Sequence, residues 1–253
     1  MIALLVLMNT ITNIIMKKLS DDDLSRFTRH FSLSEIGEKG QEKLKNSRVL
    51  VIGAGGLGSP LLIYLAAAGI GTIGIVDDDV VDISNLQRQV LYTTAEVGLK
   101  KVKLASQKLA ALYPETDIQT FDFKLDEGNT VELFKNYDII ADCTDNYKTR
   151  SLIGQVSAEL NKPLAFASVL NYEGQVTVFN YNGGPVYSDL FPTVPRDGIY
   201  NQNEIGLLGV LPGIAGTLQA NEIIKIITNY GEIISGKLLV LNIQENRFNL
   251  FKF

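Results

Sequence analysis

Tryptophan is absent from the 253 residues, and cysteine and histidine occur once each, as Cys143 and His30. One cysteine allows no disulfide within the chain and no cysteine-rich zinc site. That usage fits a reducing, cytoplasmic setting. An excess of basic charge is missing too: the net charge is −5, which argues against a nucleic-acid partner. No apolar run is long enough to span a bilayer. Ile2 to Met8 is apolar, but Asn9, Thr10, Thr12 and Asn13 interrupt the run. That stretch has no basic leader and no small-residue cleavage signal, so it does not read as a signal peptide. Met16-Lys17-Lys18 looks like a second start, and residues 1–18 are expected to form a disordered extension. No internal repeat, low-complexity tract or interdomain linker appears, so residues 19–253 are expected to form a single domain.

The residues that are present suit a buried core: 46% are hydrophobic and 20% charged. The chain is organised around Val49-Leu50-Val51-Ile52-Gly53-Ala54-Gly55-Gly56-Leu57-Gly58-Ser59. A β-branched run ends in glycines spaced G-x-G-x-x-G, and a helical pattern comes next. Such glycines allow a tight turn, a close backbone approach to phosphate, and tight packing of helix on strand. The helix start then offers N–H groups and a dipole to an anion. Asp77 ends the next predicted strand, Thr72 to Val76, where a carboxylate would hold a ribose hydroxyl. The bland alternative is a glycine-rich turn between strand and helix.

Along the chain, Ser20-Asp21-Asp22-Asp23 reads as a helix cap with acids in the first turn, and the helix carries Arg26, Phe27, Arg29 and His30. Gly37 to Asn46 gives a second helix. Further helices are predicted over Lys101–Leu112, Val131–Phe134 and Lys148–Leu160, and further strands over Ile118–Phe123 and Tyr137–Ala141. This alternation predicts an α/β fold, a mostly parallel sheet with helices on both faces. It brings the strand ends carrying Gly53, Asp77 and Asp145 to one edge, where ligands of such sheets bind. The second half reads as an antiparallel continuation: Pro163–Val169 with Gly174–Phe179, and Leu238–Leu241 with Phe248–Phe251. Gly183 to Gly198 reads as a long mobile connection. Gly209 to Ile227 reads as an apolar helix broken near Pro212.

A nucleoside triphosphate brings about four negative charges that must be neutralised before a nucleophile approaches. Arg88 and Lys101 are nearby cations, and Arg29 is a third candidate. Asp145 is placed to hold Mg²⁺ between phosphate oxygens. Taken singly, Arg88 and Lys101 could equally be a solvated face, and Asp145 a helix cap.

Arg26-Phe27-Thr28-Arg29-His30, the glycine turn, Ser84-Asn85-Leu86-Gln87-Arg88-Gln89, Val97-Gly98-Leu99-Lys100-Lys101-Val102 and Asp142-Cys143-Thr144-Asp145-Asn146 occur in this order. Together they closely resemble the bacterial ThiF/MoeB/HesA adenylyltransferases, relatives of the ubiquitin-activating enzymes. Gly209 to Ile214, Gln219 and Glu222 resemble that family's late helix. The resemblance implies a Rossmann-like fold and an ATP- and Mg²⁺-dependent adenylation of the C-terminal Gly-Gly carboxylate of a small ubiquitin-like sulfur-carrier protein, of the thiamine or molybdopterin type. It implies that Asp77 binds the ribose and that Gly55 and Gly56 lie near the phosphates. Asp79 and the segment Ser84, Asn85, Leu86, Gln87 and Arg88 join Lys101 around the nucleotide. Asp145 coordinates Mg²⁺ with Asn146 beside it, and Arg29 reaches ATP across a homodimer interface. A carboxylate with a pKa of about 3.5 is already ionised and needs no general base. His30 therefore reads as structural.

The chain departs from the family pattern in lacking two C-x-x-C pairs and a cysteine near Tyr200 to Glu204. No zinc is expected, packing around Tyr187, Leu190 and Phe191 replaces the metal clip, and no thioester forms. Three other readings stay open. A NAD-dependent oxidoreductase explains the glycines and Asp77 but leaves Arg88, Lys101 and Asp145 idle. The others are a non-catalytic carrier-binding subunit and a tRNA-modification dehydratase of the same fold.

Overall fold

The computed structural model describes residues 16–193 and 206–253. Its strands are β1 (Arg48–Ile52), β2 (Thr72–Val76), β3 (Asp117–Phe121), β4 (Ile139–Asp142), β5 (Leu164–Leu170), β6 (Glu173–Phe179), β7 (Lys237–Asn242) and β8 (Arg247–Lys252). Its helices are α1 (Asp21–Arg26), α2 (Thr28–Phe31), α3 (Gly37–Asn46), α4 (Gly58–Ala67), α5 (Lys101–Leu112), α6 (Thr130–Phe134), α7 (Tyr147–Glu159), α8 (Tyr187–Leu190) and α9 (Val210–Thr228). All the strands join one sheet in the order β3-β2-β1-β4-β5-β6-β7-β8. The first five in that order run parallel, and β5 through β8 pair antiparallel. This is the Rossmann-like α/β architecture that the alternation predicts.

The central strands are apolar on both sides because both sheet faces are covered. Side chains alternate: Val49 and Val51 of β1 pack with α4, α5 and α9, while Leu50 and Ile52 pack with α6, α7 and α8. Strand order reverses between β1 and β4, which start crossovers to opposite sides. A crevice opens there beyond the strands' carboxyl ends.

Two devices hold the site's framework in place. The turn after β1 needs glycine at Gly53, whose φ is +95°, and a Cβ there would come within 2.7 Å of the Cys143 carbonyl oxygen. From the other side α9 crosses the start of α4. A Cβ on Gly216 would land on the Leu57 carbonyl and 2.9 Å from Pro60 Cγ. The second device is buried charge. The carboxylate of Asp23, fully buried, accepts from Lys45, from the Tyr113 hydroxyl and from the Ser20 backbone N–H, while Asp23 N donates to Ser20 Oγ. Burial pushes the Asp23 carboxyl up, but these hydrogen bonds outweigh it and hold its pKa at about 2. This cluster fastens α1 to α3 and to the end of α5.

Several expectations need correction. The first helix is split at Phe27 into α1 and α2, and Phe27 is buried against Tyr113 with ring centroids 5.6 Å apart. The late helix is not broken at Pro212: α9 runs unbroken, because Pro212 falls in its first turn, where no intrahelical N–H is required. Residues 183–193 are not a loose connection. Pro185 O accepts from Asn180 N at 2.7 Å, and α8 buries Tyr187. Tyr187, Phe166, Phe179 and Phe191 form an aromatic cluster with centroid separations of 5.0–6.4 Å. The remainder of that expected connection, with Tyr200 to Glu204, lies outside the described residues. So do residues 1–15 of the expected extension, whereas Asn46 bonds both the N–H and the carbonyl of Lys17.

This packing has measurable consequences for stability. Gly216→Ala should cost about 3 kcal/mol, because neither the Leu57 carbonyl nor the Pro60 ring can yield freely. Gly213→Ala, on the same helix but facing open space, should gain about 0.5–1 kcal/mol. Denaturant titration separates them, and equal effects would contradict the packing described. Removing the Asp23 carboxylate should cost about 3 kcal/mol at neutral pH by leaving buried Lys45 only the exposed Glu115 carboxylate at 3.4 Å. The Asp23 pKa is lower folded than unfolded, so its stabilisation is present above about pH 4 and fades as pH falls toward 2. Asp23→Asn should therefore flatten the pH dependence of stability in that window.

Candidate nucleotide site

The glycine turn from Gly53 to Gly58 leads from β1 into α4 at the point where strand order reverses. Both backbone groups of Ala54 within it are held by side chains. Its N–H donates to Asp77 Oδ2 at 2.8 Å, and its carbonyl accepts from the Tyr92 hydroxyl at 2.9 Å. Asp77 Oδ1 accepts from Asp79 N at 2.9 Å. Burial raises the Asp77 carboxyl pKa, while nearby Lys101 and these two N–H donors oppose the shift. Asp77 thus sits at the end of β2 beside the turn, as its spacing predicts.

The acidic stretch after β2 turns through a 3₁₀ segment at Ile83–Asn85. Asp82 caps it by accepting from Ser84 N at 2.8 Å. This segment carries the polar motif. Arg88 donates to Ser84 O and to Asn85 Oδ1, each at 3.3 Å. Its aliphatic stem lies over Gly56, 3.4 Å from where a Cβ would be, with Pro212 of α9 on the same spot at 3.3 Å. Leu86 anchors the segment in the core beneath α4, α5 and α9. Gln87 lies under Gly209 just before α9: a Cβ on Gly209 would come within 2.7 Å of Gln87 Oε1. Ser84 and Gln87 are exposed.

Lys101 opens α5. Its side chain is only 5% exposed, and its Nζ pairs with Asp79 at 2.9 Å. The helix start there has no side-chain cap, and its first N–H, that of Lys101, donates to Asp79 O at 3.2 Å, so backbone and ammonium both rest on Asp79. On the far side of the crevice, β4 pairs with β1 through Ile52 and Asp142, and Cys143 N donates to Ile52 O at 2.9 Å. Asp145 and Asn146 come next, on the exposed loop. The cap of α7 is Asn146, not Asp145: Asn146 Oδ1 accepts from Thr149 N at 2.9 Å. Capping therefore does not account for Asp145.

Gly55, Gly56, Asp77, Asp79, Asn85, Arg88 and Lys101 are brought together by these contacts, with Asp145 and Asn146 at the neighbouring strand end. Arg29 is not brought to this crevice within the chain. The helix pair that carries it packs at the opposite edge of the sheet. There Phe27 abuts Gly69, and the Gln41 amide bonds Ala68 O at 2.8 Å and His30 Nδ1 at 2.8 Å. His30 also stacks on Phe27 with centroids 5.6 Å apart.

Three further residues also build the site: Tyr92, which sequence reasoning passed over, and Gln89 and Gln219, which it named within motifs without assigning a role. Tyr92 holds the turn at Ala54. Gln89 is buried between Asn85 and Gly55. Gln219, fully buried on α9, donates to both Asp142 O and Ala165 O at 2.9 Å and accepts from Cys143 Sγ at 3.3 Å. It ties α9 to the ends of β4 and β5. Cys143 is enclosed, and burial pushes its thiol pKa well up. Spacing gave a partial signal for Gln89 and Tyr92, which fall one helical turn beyond Asn85 and Arg88. Gln219 stood out only through the resemblance of the late helix, and its partners, which lie 54 and 77 residues away, had no local signal. Among the described residues no cluster of three or more His, Cys, Asp or Glu could hold a metal, and no helix is long and apolar enough to cross a membrane.

Comparison with known proteins bears on the family and the fold. The protein of Porphyra purpurea named "Probable molybdopterin-synthase adenylyltransferase" is 47% identical over 236 residues, covering 91% of this chain and 61% of that protein. "Adenylyltransferase and sulfurtransferase MOCS3" of Anopheles gambiae is 45% identical over 236 residues, covering 93% of this chain and 54% of that one. The chain thus spans little more than half the length of these relatives. Among solved structures, PaaA superposes with a TM-score of 0.80 at 26% identity, covering 99% of this chain and 80% of that one. E. coli MccB crystallised with ATP shares the fold, with a TM-score of 0.75 at 21% identity, covering 94% of this chain and 72% of that one. The model of the ThiF family matches residues 27–253. With that match and relatives at this level of identity, the chain belongs to the ThiF family.

Proposed function

We propose that the chain binds ATP·Mg²⁺ in the switch-point crevice and adenylates the C-terminal Gly-Gly carboxylate of a small ubiquitin-like sulfur-carrier protein. The observation that carries this reading is the pair of cations around the glycine turn. Arg88 is laid over Gly56, and buried Lys101 is held by Asp79 at the start of α5. The oxidoreductase reading accounts for the glycines and Asp77 but assigns no role to Arg88, Lys101 and Asp145 together. The relatives' names favour the molybdopterin type over the thiamine type.

In this reading Asp77 takes the ribose hydroxyls, while the backbone of Gly55 and Gly56 admits the phosphates. Asp79 hands Lys101 to the triphosphate, whose charge exceeds that of one carboxylate. Arg88 neutralises it from the other side, with Ser84, Asn85, Leu86 and Gln87 forming the wall. Mg²⁺ is commonly held by one or two carboxylates together with substrate phosphates, so Asp145 with Asn146 beside it is a sufficient protein share. When bound there, the ion would supply charge neutralisation to the phosphates. The carrier's carboxylate oxygen forms a bond to the α-phosphorus, the bond to the bridging oxygen breaks, and pyrophosphate leaves with the electron pair. No proton moves, which suits a site without histidine. What the residues contribute is alignment and charge.

Arg29, at the opposite sheet edge, supports a homodimer in which it serves the nucleotide of a second copy. The acidic balance and lone buried thiol support a cytoplasmic setting without nucleic acid, zinc or a thioester intermediate.

Mixing the protein with candidate carriers, ATP and Mg²⁺ should add an adenylyl group to one carrier, as read by mass spectrometry. Arg88→Ala and Asp145→Ala should each reduce that product by about 100-fold or more while circular dichroism stays unchanged. Normal adenylation by both variants would remove the assignment. In the native protein Cys143 should resist iodoacetamide and react only after unfolding. A carrier found linked to Cys143 would contradict the single-step reaction.

A further inference from the structure

Gln89 is 4% exposed, and its Oε1 is sealed from solvent with no hydrogen-bond partner. Its Nε2 donates to Asn85 Oδ1 at 2.8 Å, and the same oxygen accepts from Arg88 Nη2 at 3.3 Å. Two donors converging on one oxygen fix both amides, because turning either would set oxygen against oxygen or donor against donor. Burying an amide oxygen with nothing in return costs about 1–3 kcal/mol. An apolar side chain of similar length would avoid that cost, so the use of this amide lies in its donor half. That half lies beside the glycine turn: a Cβ on Gly55 would be 3.5 Å from Nε2, in van der Waals contact. The backbone holds it there, with Gln89 N donating to Asn85 O at 3.0 Å and Tyr92 N to Gln89 O at 3.1 Å.

We propose that Gln89 is a positioning residue for the nucleotide site: its Nε2 locks Asn85, and through Asn85 the Arg88 guanidinium, in register with the Gly55–Gly56 turn. This rests on the nucleotide reading given above. Arg88 has a long, rotamer-rich side chain, and ordering it only when phosphate arrives would weaken binding. A carbonyl oxygen fixed in advance removes part of that cost. Gln89 touches no ligand in this arrangement and acts through its neighbour.

The test is calorimetric titration of the full chain with ATP·Mg²⁺, paired with thermal unfolding. Gln89→Leu should weaken ATP binding roughly tenfold or more while its unfolding midpoint holds or rises. Gln89→Met, which keeps the length but cannot donate, should match it and covers a failure of the leucine variant to fold. Asn85→Ala should weaken binding comparably, and the double variant should be no weaker than Asn85→Ala alone. Unchanged binding in both Gln89 variants, or losses that add, would overturn the proposal. Arg88→Ala separates the two levels of argument. If it loses ATP while the Gln89 variants do not, only the positioning role falls. If it binds ATP like the unaltered chain, the site reading falls with it.

Discussion

The structure depends on one steric constraint, the passage of the Gly53–Gly58 turn between the end of β4 and the helix α9. The Cys143 carbonyl presses on Gly53 from one side, and α9 meets Leu57 and Pro60 through Gly216 on the other. No side chain fits at either contact. With the backbone so confined, the polar groups of Ala54 cannot reach water and are taken by Asp77 and Tyr92. These two side chains arrive from different segments. Satisfying the backbone of one buried residue thus brings the end of β2 and the segment after the polar motif to the turn. Gln219 does the same for β4 and β5 from α9. The crevice is assembled by backbone groups that need partners as much as by apolar packing.

The two cations beside the crevice are each held by a different kind of partner. Lys101 is buried but rests on Asp79, whose side chain is 66% exposed. A buried ammonium needs a partner, and a carboxylate open to solvent holds it in reserve without burying a second charge. Arg88 rests on neutral oxygens of Ser84 and Asn85. Both cations are thereby ordered near the turn while remaining available to a stronger anion. At the other edge of the sheet, the Asp23–Lys45–Tyr113 cluster binds the N-terminal helices by largely buried charge, with Glu115 the one exposed member, and that region reads as scaffold.

Much of this was legible in the sequence for physical reasons. Strands buried on both faces are apolar throughout, and the G-x-G-x-x-G spacing reports a backbone that tolerates no Cβ. The distance to Asp77 reports one strand–helix–strand step. The features that failed to show had a shared cause. Pro212 looks like a breaker unless the helix start is known, and that start is set by the close pass of Gly209 over Gln87. Packing around Tyr187, Leu190 and Phe191 is expected where the family's cysteines are missing, but Tyr187's partners Phe166 and Phe179, on distant strands, are not. Asn146 and Asp145 are equally good caps by type, and only the geometry of Thr149 decides between them. Gln89, Tyr92 and Gln219 act through contacts that local pattern does not encode. The glycines mark where a ligand fits, whereas the side chains that hold its surroundings are visible only in three dimensions.

The most direct test of the central claim is a crystal structure of the protein with Mg²⁺ and a non-hydrolysable ATP analogue. The account predicts the ribose against Asp77, the phosphates over Gly55 and Gly56 between Arg88 and Lys101, and the ion at Asp145. A nucleotide bound elsewhere, or one whose phosphates turn away from Arg88 and Lys101, would contradict it.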